Sequence, residues 1–122
     1  MAQEAQRQLL ELSEALGLEY EQQDWGIVNA DAHRLVEFIA YYEENAELSA
    51  TQRFELGELI LASANEHLAS GSAPMPSVVR PFLMRHRNEF EVHVEYWLSL
   101  RDAAEFPVAN WLRLQLPDKQ LE

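Results

Sequence analysis

The sequence predicts an all-α fold, a single domain built as a bundle of five to six helices in antiparallel helical hairpins. Three observations predict it. Apolar residues recur three and four positions apart along most of the chain, the spacing that gathers side chains on one helix face. Capping residues and prolines punctuate those stretches. No stretch alternates apolar and polar residues long enough to build a sheet. The one ambiguous segment, residues 91–97 (EVHVEYW), reads equally as a strand by alternation and is assigned to a helix.

A first helix is expected over residues 2–16, where Leu9, Leu12 and Leu16 share a face, with Gly17 placed to end it. Residues 19–30 form a connector in which Asp24, Gly26 and Asn29 suit turns, while Trp25 among them reads as an anchor onto the core. The second helix starts at Asn29 or Asp31, either of which can accept the free N–H groups of a first turn. It carries the stripe Leu35, Phe38, Ile39 and Tyr42 and ends near Asn45. Ser49-Ala50-Thr51-Gln52 is a capping box that opens the third helix. Its inward face reads as Phe54, Gly57, Ile60, Leu61, Ala64 and Leu68. Thr51, Glu55, Glu58, Ala62 and Glu66 make the opposite, acidic face. Gly57 weakens a helix by about 1 kcal/mol against alanine, so a neighbouring helix is expected to approach closely there.

Residues 69–76 (ASGSAPMP) read as a linker inside the one domain. Ser77 is placed to cap a fourth helix reaching about Arg87, with Pro81 near its first turn. Asn88 and Glu91 restart the chain as a fifth helix with Phe90, Val94, Trp97 and Leu98 on one face. Pro107 suits the first position of a last helix to Leu116, with Val108, Trp111 and Leu112 inward. The domain is expected over 1–117, with 118–122 a frayed tail.

A chain of 122 residues that is 48% hydrophobic can form a core without a metal or disulfide. It has no cysteine, which removes thiolate metal sites and cysteine nucleophiles together. Glu4, Glu11 and Glu14 interrupt the first 18 residues, unlike a signal peptide, and no stretch reaches the roughly 20 apolar residues of a membrane span. Cytoplasmic residence is the expectation.

Charge is the most informative bulk property. The net is −12, and residues 1–67 hold 14 of the 21 acids but three of the nine basic residues. Such a field disfavours nucleic acid and anionic membrane as partners and steers a basic protein toward the N-terminal half.

Catalytic patterns are missing. No histidine follows a glutamate at the spacing of a di-iron helix pair, and HExxH is absent. His86, Glu89 and His93 have helix-face spacing, but Asn88 is expected to break that helix. The abundant glutamates read as a solvated face with ordinary pKa values, and neither a G-x-S-x-G elbow nor a glycine-rich phosphate loop occurs. No cofactor, no metal and no catalysis are therefore expected. The basic island Arg80, Arg85, His86 and Arg87 is expected to pair with acids of the N-terminal half. Trp97, Trp111, Phe38, Phe54 and Phe90 read as core. Tyr41, next to Tyr42, is expected to point outward, rimmed by Glu37, Glu44 and Glu55. Glu37, Tyr41, Glu44, Glu55, Glu58 and Glu66 then form the expected partner-binding face, since tyrosine supplies contact area while acids steer.

In residues 24–31 (DWGIVNAD), 37–43 (EFIAYYE) and 56–63 (LGELILAS), with Tyr96-Trp97, the chain resembles a group of small acidic helical bacterial proteins, some of them similar to immunity proteins of toxin systems. The resemblance implies a stoichiometric inhibitor that caps a basic toxin or similar effector. Two other readings stay open: a homodimeric structural protein joined through apolar surface around Trp111 and Leu116, and a small-molecule or metal-dependent enzyme.

Overall fold

The computed structural model describes residues 2–71, 74–100 and 105–116. The chain is all-helical there, with seven α-helices: α1 (Ala2–Leu16), α2 (Trp25–Val28), α3 (Leu35–Glu44), α4 (Ala50–Ala69), α5 (Val79–Arg85), α6 (Glu91–Leu98) and α7 (Pro107–Gln115). The helix beyond the expected five to six is α2, a single turn inside the connector. A 3-10 turn at Ala32–Arg34 leads into α3. Residues 91–97 are helical, which resolves the strand ambiguity. No helix among the described residues is long and apolar enough to cross a membrane. The tail at 118–122 lies outside the described residues.

Local rules account for most boundaries. Gly17, at φ +67°, ends α1 as the left-handed residue of a Schellman motif, with Leu18 N–H donating to Ser13 C=O at 2.8 Å and Gly17 N–H to Glu14 C=O at 3.3 Å. The capping box at Ser49 and Gln52 is formed in both directions. Pro107 opens α7. Of the two candidate starts for α3, Asp31 does the capping: its side chain accepts from His33 N–H at 2.9 Å. Asn29 instead bridges the N–H and C=O of Glu19, pinning the connector. Ser77 caps nothing; α5 begins after Val78 without a side-chain cap and stops at Arg85, short of Arg87.

Helix α4 is the axis of the fold, packed by α1, α2, α3, α6 and α7. Neighbours on several sides leave it no single outer face. Phe54, expected inward, is 49% exposed, and Ala62, expected on the acidic face, is 4% exposed. Both expectations fail because a one-stripe reading suits a helix covered on one side only. Trp25 is the anchor the sequence suggests, 1% exposed, its indole N–H donating to Ser13 Oγ at 2.8 Å. The start of α7 is held from α4 as well: buried Asn65 accepts from Val108 N–H at 3.1 Å and donates to Glu105 C=O at 3.2 Å. At the end of α7, Leu116 is buried and Trp111 half-buried against the core, whereas Leu114 is 75% exposed. Of the apolar surface assigned to a homodimer, Leu116 is turned inward and Trp111 partly so.

Candidate functional site

Three segments meet at a cavity of about 320 Å³, lined by Asp24, Trp25 and Ile27 at α2, by Phe54, Glu55 and Glu58 of α4, and by Val92, His93 and Tyr96 of α6. On both long walls the residues stand one and four positions apart, so one turn of α4 faces one turn of α6. Gly57 makes the approach possible, as the sequence suggests: a Cβ there would lie 3.0 Å from His93 Nε2 and 3.2 Å from Phe90 Cε2. His93 is consequently 4% exposed, its ring 4.4 Å from that of Phe54 at 36°. Its Nδ1 is 3.6 Å from Glu58 Oε2, while Nε2 has no hydrogen-bond partner among the described residues. Asp24 holds a left-handed conformation, φ 56°, without capping α2, a conformation that costs a non-glycine residue free energy.

Burial pushes the Glu55 carboxyl up from its ordinary pKa, the charge of Glu58 adds to the rise, and His93 opposes it. No lysine or arginine among the described residues lines the cavity. Around the acids, Ile27, Phe54, Val92 and Tyr96 are all exposed, so charge and apolar surface alternate around one mouth. A raised carboxyl has a definite consequence for stability. Its contribution is fully present below the unfolded-state pKa and is lost as pH rises through the folded value, so ionised Glu55 weakens the fold at neutral pH. Glu55→Gln should therefore melt at a higher temperature than wild type at pH 7 and at the same temperature at pH 4. A Gln variant that melts lower at pH 7 would show that the carboxylate is stabilised, not strained, by its surroundings.

No family model, curated protein or solved structure matches this chain.

Of the six residues expected on the binding face, Glu55 and Glu58 share this cavity. The expectation that they are solvated is corrected, for both are half-buried. Glu37 is exposed in the first turn of α3, and two hydrogen bonds from Arg34, at 2.6 and 2.9 Å, hold its carboxyl below the usual range. Tyr41 is half-buried against the core, and the exposed aromatics beside Glu55 and Glu58 are Phe54 and Tyr96. Glu44 is exposed at the end of α3. Glu66 is exposed on α4, about 12 Å along the helix from Glu58.

The basic island behaves as expected at Arg85 and His86. Arg85 makes a forked pair with Glu43 at 2.8 and 2.9 Å, and His86 bridges Glu43 at 3.0 Å and Glu89 at 2.7 Å. That bridge takes His86 and Glu89 to α3, while His93 turns to Glu58 on α4, so the three never assemble as a ligand set. Tyr42, between them, donates to Glu89 at 3.2 Å; burial, and then the charge of Glu89, push its hydroxyl up to about 12. Sequence reasoning missed Asp24, Trp25, Ile27, Phe54, Val92, His93 and Tyr96 as site residues. The one signal that could have found them was Gly57, whose partner helix had to be one presenting side chains to Phe54 and Glu58.

Proposed function

We propose that the chain is a protein-interaction module, an immunity- or antitoxin-like inhibitor that binds a basic protein stoichiometrically through the mouth formed by α2, α4 and α6. The observation that carries this reading is a mouth lined by exposed Ile27, Phe54, Val92 and Tyr96 together with Asp24, Glu55 and Glu58, with no lysine or arginine among the described lining residues. Apolar patches rimmed by one sign of charge suit a partner of the other sign. Long-range attraction comes from the net charge of −12, concentrated in residues 1–67, and repels nucleic acid and anionic membrane. Burial of the collar then slows dissociation, and the seated inhibitor covers a basic active surface of its target. The natural setting of such a pair is the cytoplasm.

Two features weigh against the other readings. A two-fold dimer through this face would bring Glu55 and Glu58 of both copies together. An enzyme reading gains a desolvated carboxyl at Glu55 beside His93, but four exposed apolar residues at the mouth leave the site open to water, where electrostatic catalysis is weak.

The test is capture from the native lysate on immobilised wild type and on the double variant Glu55→Lys, Glu58→Lys. A basic protein held by wild type at low salt, weakened at high salt and lost from the variant is the expected result. Equal capture by both proteins, or capture of the chain alone, would contradict the proposal.

A further inference from the structure

We infer that the cavity seats an arginine side chain of the basic partner, its guanidinium lying over Phe54 between the carboxylates of Glu55 and Glu58. This rests on the preceding reading that the partner is basic, and it names the group recognised. The seat has three components. Phe54 is half-exposed, with one face backed by the buried ring of His93 at 4.4 Å, so its other face is available to a planar cation. Glu55 and Glu58 repel one another, and no lysine or arginine among the described residues lines the cavity to relieve them. His93, 4% exposed, closes the inner wall, its ring backing Phe54 and its Nδ1 3.6 Å from Glu58 Oε2, which fixes the position of both.

The same chain shows what fits such a set. At the head of α3, Arg34 lies 5.0 Å from the centre of the Phe38 ring while its guanidinium pairs with Glu37 at 2.6 Å and donates to Leu16 C=O at 2.8 Å, so an aromatic face and a carboxylate help to hold one arginine. Around the cavity those two components recur with no arginine among the described lining residues. Arginine is favoured over lysine because its fork can reach two carboxylates, its plane stacks on a ring, and it sheds water more readily on entering an apolar collar.

The probe is N-acetyl-arginine amide, titrated into isotope-labelled full-length protein by NMR at constant ionic strength, beside the lysine compound and the uncharged citrulline isostere. The arginine compound is expected to move the Phe54, His93, Tyr96 and Trp25 indole signals, the lysine compound to bind more weakly, and citrulline to leave them in place. Glu55→Gln should weaken the arginine compound about tenfold, from the loss of a charged hydrogen bond, and Phe54→Ala about threefold to tenfold, from the loss of the ring face. Both positions are partly open to solvent, so the variants' own spectra verify that the fold persists. Equal effects of arginine and citrulline, or shifts centred on Glu37, Glu44 or Glu66, overturn the seat. A captured basic protein that binds Phe54→Ala and Glu55→Gln as tightly as wild type also overturns it while the basic partner stands. If the arginine compound seats but no basic protein is captured, the seat stands and the inhibitor reading fails.

Discussion

Replacing Trp25 with alanine is expected to cost about 3–5 kcal/mol of stability and to lower the thermal midpoint by more than about 10 °C. The indole is 1% exposed and fills the space between α1 and α4, and its N–H satisfies the buried Ser13 hydroxyl, which in turn donates to Leu9 C=O at 2.9 Å. Truncation removes the largest apolar area in the connector and leaves a cavity that the flanking helices cannot fill without moving. The other anchors of residues 19–31 include the close packing of Gly26 on α4 and the Asp31 N–H bond to Ser63 Oγ at 3.0 Å, while the Asn29 bridge to Glu19 ties the segment to itself. Loss of Trp25 should therefore release one wall of the binding mouth as well. Urea unfolding measures the first effect and partner capture the second. A loss below about 1 kcal/mol would show that the connector is not held through this side chain.

The second large effect is expected at Gly26, where alanine should destabilise by about 1–3 kcal/mol. A Cβ there would stand 2.7 Å from Leu59 N and 2.9 Å from Glu58 C, both backbone atoms of α4. Backbone in the middle of a packed helix cannot give way, so α2 must lift. Gly57→Ala is the informative comparison. Its Cβ would meet only side chains, 3.0 Å from His93 Nε2 and 3.2 Å from Phe90 Cε2, and alanine returns about 1 kcal/mol of helix propensity. Unfolding of the two variants side by side should show the larger loss at Gly26. Equal losses would mean that α2 and α6 lie equally close to α4, contrary to the geometry.

The contrast between these glycines shows what was legible before the structure. Signals confined to a few neighbouring residues read correctly: the stripes of α1 and α3, the capping box at Ser49, Pro107 at the head of α7, Trp25 as an anchor, and Gly57 as a point of close approach. Features made by distant segments did not. Asn65 caps α7 from 43 residues away, and no local pattern marks it. Helix α2 is one turn long, too short for any period to show. On α4 the wheel gives the angular position of Phe54 and Ala62 but not which sides the neighbours cover. The site followed the same division. Acids on α4 were visible, and an exposed aromatic among acids was expected at Tyr41. That α6 would arrive at Gly57, bury His93 and leave Phe54 outward as that aromatic was a property of packing. Tyr41, expected to point outward, is half-buried because α3 packs it against the core.

The most direct measurement of the central claim, that the α2–α4–α6 mouth is where a basic partner is steered and seated, is the association rate of the captured partner with wild type and with Glu55→Lys, Glu58→Lys across ionic strength. Wild type should associate fast at low salt and slow steeply as salt rises, while the double variant should start about tenfold or more slower and change little, because the steering field at the mouth has been reversed. Identical rates and identical salt dependence for the two proteins would place the contact elsewhere on the surface and return Glu55 and Glu58 to the role of solubilising charge.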